Sequence, residues 1–203
     1  MSQYDKLEKL LLTEQDEEFQ MLIEVAEEYL KQKRGATPQN KSGNATEIVI
    51  RNHLLKRGFN MTLSPNVKIQ GSEIRNDSLL LKPSVNPRKQ LYSPNEVDTV
   101  IEIKNNAVAN QSRIIKENFD ELRVISENFR FAAIVLSERK GYTHEITDEK
   151  LGNPKYRSFS LVSRRQYPSV GGLYSKEAIM DMMKKKEMKK TGDWERLIAY
   201  LKG

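Results

Sequence analysis

The run Val97-Asp98-Thr99-Val100-Ile101-Glu102-Ile103-Lys104 constrains this chain more than any other segment. Its β-branched apolar residues predict a strand, yet a carboxylate and an ammonium stand near its end. Because side chains alternate across a strand, Glu102 and Lys104 share one face while Ile101 and Ile103 point to the other. A mostly apolar strand tolerates such charges only where they are paired or in use. The strand must therefore end where partners meet it.

Length and composition narrow the setting. With 203 residues, 37% of them apolar, the chain is expected to form one globular domain with an appended helical segment. The absence of cysteine excludes disulfides and thiolate zinc sites, and two histidines argue against a multi-histidine centre. Any metal should be hard and oxygen-ligated. No basic stretch leads into an apolar core at the start, and no long apolar run occurs, so a soluble cytoplasmic protein without membrane contact is expected. The formal charge of +6 conceals a division. Residues 1–30 hold nine acids and two bases, net −7, which leaves +13 on the remainder. A strongly basic body suits a polyanionic partner, since lysines and arginines on phosphates release condensed counterions.

Local patterns divide the chain into an acidic helical accessory segment at 1–34, a core at 44–170 and a basic helical segment packed on it at 171–203. Tyr4, Leu7, Leu10 and Leu11 suggest a short helix, and Phe19, Leu22, Ile23, Ala26 and Leu30 predict an amphipathic one over 14–33. Residues 35–43 have linker composition. A helix is predicted over 45–57, capped by Asn44, ended by Gly58 and carrying Glu47 in its first turn. Strands are predicted at 66–70, 77–82 and 97–104, then a helix over 111–129, a strand at 131–136 and another at 159–163. Residues 175–190 read as a lysine-rich helix and 193–201 as a closing one. This order gives an α/β sandwich with a mixed central sheet.

Glu47 on the first core helix, Asp77 opening one strand and Glu102-Ile103-Lys104 ending the next resemble the PD-(D/E)XK nuclease superfamily, over roughly residues 44–137. The resemblance implies an αβββαβ restriction-endonuclease-like core and Mg²⁺-dependent phosphodiester cleavage, with Mn²⁺ able to substitute. Asn76 stands where the name of the motif has proline. Three other tripeptides imitate the motif: Glu138-Arg139-Lys140, Asp148-Glu149-Lys150 and Glu187-Met188-Lys189. Only Glu102 and Lys104 have an aspartate-bearing hairpin neighbour.

Distances choose that aspartate. Asp98 shares a face with Glu102, but four residues at about 3.3 Å each separate their Cα atoms by roughly 13 Å, too far for one small cation. If the strands pair antiparallel with Lys82 opposite Val97, Asp77 lies opposite Glu102, with Cα atoms about 4.5 to 5.5 Å apart. Strong bulging would revive Asp98, which otherwise pairs with a basic neighbour or faces solvent. Asp77 and Glu102, with the Ile103 backbone carbonyl as the resemblance implies, are the expected metal ligands. Glu47 would act through water or a second metal, and Lys104 would orient the attacking water.

The basic connection 83–94, with Arg88 and Lys89, and the residues Arg139, Lys140, Arg164 and Arg165 are candidate phosphate contacts. His53 and His144 lack a second histidine at ligand spacing and read as structural or exposed. The expected activity is a Mg²⁺-dependent DNA endonuclease of the restriction or phage-defence kind, a homodimer acting on double-stranded DNA. A junction resolvase or exonuclease of the same fold is one alternative. A catalytically silent nucleic-acid-binding module is the other.

Overall fold

The computed structural model describes residues 16–32, 37–106, 109–139, 145–164 and 176–203. The first helix, α1 (Glu17–Lys31), buries Phe19, Met21, Leu22, Ile23, Val25 and Ala26 at helical spacing. It packs on α2 (Pro38–Lys56), which begins earlier than its sequence suggested. Thr37 caps it by accepting the Asn40 N–H, and Pro38 occupies the first turn, where a missing N–H costs nothing. Residues 38–43 are thus helix and not linker, Asn44 lies inside the helix, and Glu47 sits at its middle. Gly58, at φ 86°, provides the left-handed exit.

Among the described residues the central sheet has five strands in the order β2-β4-β5-β6-β7: β2 (Ser78–Leu81), β4 (Val97–Lys104), β5 (Arg130–Arg139), β6 (Tyr156–Arg164) and β7 (Met188–Lys190). The outer pairs are antiparallel, while β4-β5 and β5-β6 are parallel, joined by α3 (Gln111–Ile125) and the short α4 (Asp148–Leu151). This is the expected mixed sheet flanked by helices. The first predicted strand is an exception, since β1 (Lys68–Ile69) pairs in parallel with β3 (Leu91–Tyr92) as a separate two-stranded sheet. The predicted helix over 175–190 is also shorter than expected. Its described part, α5 (Lys176–Lys184), stops before Lys186, whose φ of 56° turns the chain back so that Met188–Lys190 can pair with β6. The closing helix α6 spans Asp193–Lys202.

Two apolar layers enclose the sheet. Ile101, Ile103, Ala132, Ile134 and Leu161 join α1, α2, α5 and α6 in one layer; Val100, Phe131, Ala133 and Val135 join α3 and the small sheet in the other. Alternation along β4 therefore puts Glu102 and Lys104 on the same side as Val100. Among the described residues no helix is long and apolar enough to cross a membrane.

Candidate active site

The site forms where β2 begins and β4 ends. Ser78 pairs with Ile101, Leu79 with Val100 and Leu80 with Thr99, so continuing the ladder sets Asp77 opposite Glu102, the expected register at this end. At the far end Leu81 pairs with Val97, leaving Asp98 as an extra residue in a bulge. Asp98 turns away from the site and forms an ion pair with Arg130.

Three charged side chains converge here. Asp77 Oδ2 accepts the Ile103 N–H at 2.8 Å and the Lys104 ammonium at 2.9 Å. Lys104 also donates to Glu102 Oε2 at 2.9 Å. Glu102 is 5% exposed. Its burial, helped by the charge of Asp77 and opposed by Lys104, pushes its carboxyl up to about 8. Burial works against the Lys104 charge, but Glu102 and Asp77 outweigh it and hold the ammonium well above the ordinary lysine range. Lys104 is therefore a fixed cation here. Glu47, reached from α2, is pushed up to about 7 by burial and then by the field of Asp77, against Lys104 and Arg51.

Arg51 is the member that sequence reasoning missed. It follows Glu47 by four residues, which places both on one face of α2, and that spacing was the available signal. Its residue is 5% exposed, and Nη2 donates to the Asp77 carbonyl at 3.2 Å. Burial lowers the pKa of the guanidinium while Glu47 and Asp77 support its charge.

Other candidate residues lie elsewhere. Arg88 and Lys89 are exposed, and Lys89 is ion-paired with Glu96. Arg164 is only 2% exposed, so the surface phosphate contact expected of it is not what the fold provides; as the last residue of β6 it is covered by the packing around the β6-β7 pair. The side chain of Arg139, together with Lys140, His144 and Arg165, lies outside the described residues, as does the short helix expected before α1. Glu138 accepts the Ile146 N–H at 2.8 Å, and Asp148 accepts the Ser158 N–H at 2.6 Å, so both imitating motifs serve local structure. His53 is structural, with ring nitrogens 3.0 Å from Glu17 and 3.0 Å from Glu24 on α1.

The donor chemistry fits a hard divalent cation. Two carboxylate oxygens, from Asp77 and Glu102, meet across the β2-β4 pair around one ammonium, and hard oxygen donors of this kind suit such an ion. Among the described residues no three acids or histidines form a ready cage, so protein oxygens alone would not complete the coordination.

No protein-family model matches the chain, and no curated protein sequence does. Solved structures do resemble it. NucC of P. aeruginosa ATCC27853, in its cAAA-bound form, aligns with a TM-score of 0.52 and 11% identity over 91% of this chain and 89% of its own. NucC of E. coli MS115-1, also cAAA-bound, aligns with a TM-score of 0.52 and 10% identity over 93% and 90%. At these identities the likeness is one of fold, the restriction-endonuclease-like α/β sandwich with a mixed central sheet.

Proposed function

We propose that this chain is a Mg²⁺-dependent DNA endonuclease of the PD-(D/E)XK superfamily, acting as a homodimer on double-stranded DNA in restriction or phage defence. The observation that supports it most is the meeting of Asp77, Glu102 and Lys104 at one point, with both carboxylates within reach of the one ammonium. Asp77 and Glu102, with the Ile103 carbonyl, would hold the cation. When bound, a divalent ion supplies Lewis acidity at a phosphate oxygen and a more acidic bound water.

The remaining work falls to the chain itself. The Ile103 N–H fixes Asp77 Oδ2, so that carboxylate is aimed by backbone and not only by a flexible partner. Lys104 holds a proton-donating ammonium beside both acids, where it orients the attacking water and offsets charge building on the phosphate. Glu47 adds a third negative group to the same field. Arg88 is exposed, but its connection leaves from the far end of the β2-β4 pair, where Leu81 meets Val97, so a phosphate held there would lie along the duplex and not at the cleaved bond.

The test is cleavage of supercoiled plasmid and linear duplex with Mg²⁺ or Mn²⁺, comparing the protein with Asp77→Ala, Glu102→Ala and Lys104→Ala. Each variant should lose roughly 100-fold or more in rate. Because both NucC structures hold cAAA, the assay is run with and without it, to test whether it activates this chain. Cleavage indifferent to all three substitutions would refute the reading. Salt-sensitive DNA binding without cleavage under any of these conditions would identify a silent binding module instead.

A further inference from the structure

Arg51 is unusual among the charged residues near the site because it is buried, anchored to main chain and incompletely satisfied. One nitrogen donates to the Asp77 carbonyl, whereas Nε is buried without a hydrogen-bond partner among the described residues. An arginine cannot shed its charge at any ordinary pH, so this cation is permanent. It stands one helical turn beyond Glu47, and both Glu47 and Asp77 act on it electrostatically.

We propose that Arg51 takes the place a second divalent ion would fill, so that the centre works with one ion on Asp77 and Glu102 and with Glu47 off the metal. This rests on the nuclease reading and deepens it. The geometry supports it: the buried guanidinium lies against the Asp77 carbonyl and answers Glu47 from one helical turn away, where a further cation would otherwise be needed. Two-metal centres hold their ions about 3.5 to 4 Å apart with carboxylates enough to bridge and flank both. No such three-acid group occurs among the described residues.

Mn²⁺ binding to the DNA-free protein, counted by electron paramagnetic resonance, tests this without relying on cleavage. The unmodified chain should bind one ion. Glu47→Gln should keep that ion with Kd within about threefold, less than the tenfold or more lost when a group that holds or orients the metal's ligands is removed. Arg51→Met should recruit a second ion, and Arg51→Lys should stay at one. Two ions on the unmodified chain, a loss beyond tenfold in Glu47→Gln, or a folded Arg51→Met that still binds a single ion each overturns the proposal. If Arg51→Met does not fold, the Glu47→Gln count and affinity decide alone. The underlying reading fails separately: no bound ion, or an ion that survives both Asp77→Ala and Glu102→Ala, refutes the nuclease centre and the proposal with it.

Discussion

Replacing Glu102 with glutamine should make the metal-free protein more stable in alkali while removing cleavage. Glu102 titrates at 4.5 when unperturbed and at about 8 in the fold, because burial and Asp77 both disfavour its charge. In the unfolded chain the proton leaves near 4.5; in the folded chain it stays until about 8. The stability this residue contributes is therefore complete below 4.5, falls as pH rises from 4.5 to about 8, and is constant above. At about 1.4 kcal/mol per pH unit, the full interval corresponds to at most about 5 kcal/mol. Asp77 shares that burden, and glutamine weakens the hydrogen bond from Lys104 by about 1–2 kcal/mol. A net gain of about 2–3 kcal/mol at pH 9 remains, with the two proteins within about 1 kcal/mol of each other at pH 5. Urea denaturation in EDTA at pH 5, 7 and 9 measures the difference, and other titrating groups common to both proteins cancel. Stability curves that run parallel from pH 5 to 9, or a glutamine variant that is weaker at pH 9, would refute the reasoning.

Two further outcomes are expected. Glu17 is held down to about 2: burial raises it, but hydrogen bonds from Arg57, His53 and Trp194 prevail. Its contribution is thus present above 4.5 and lost as pH falls from 4.5 towards 2. Glu17→Gln should cost about 1–2 kcal/mol at pH 7, a figure reduced for its partial exposure, and should flatten the acid limb followed by circular dichroism; an unchanged acid limb would contradict this. Asp98→Ala should leave plasmid cleavage within about twofold and cost at most about 1 kcal/mol in urea, because its partner is Arg130 at a half-exposed position. A tenfold fall in cleavage would instead put Asp98 in the centre.

The parts of the fold readable in the sequence are those fixed by local periodicity. The strand Val97–Lys104 appears with its predicted bounds, and α3 begins at Gln111 as the pattern indicated. The β2-β4 register at the site end follows from the hydrophobic alternation, which a slip of one residue would invert. That register is what brings Asp77 to Glu102 and Lys104. Misreadings arose where composition was taken for conformation. The Gly- and Asn-containing stretch after Pro38 looked like a linker, although Thr37-Pro38 is itself a helix-start signal and a Cβ at Gly43 would meet nothing. The lysine-rich run after residue 184 has helical propensity, but the edge of β6 offers backbone partners to Met188–Lys190, and tertiary pairing wins. Arg51 was overlooked because an arginine on a helix is ordinarily solvated. Only the fold shows it buried against the Asp77 carbonyl.

The Glu17 carboxylate also has a bearing on timing. It binds His53 on α2, Arg57 just past its end and, across 177 positions of sequence, the indole N–H of Trp194 at 2.8 Å. Translation delivers Glu17 early and Trp194 late. The helix that carries Glu47 and Arg51 is therefore fully clamped only after residues 193–202 have left the ribosome. The face of that helix bearing Glu47 and Arg51 is thus fixed only when an early-made helix and a late-made one have met.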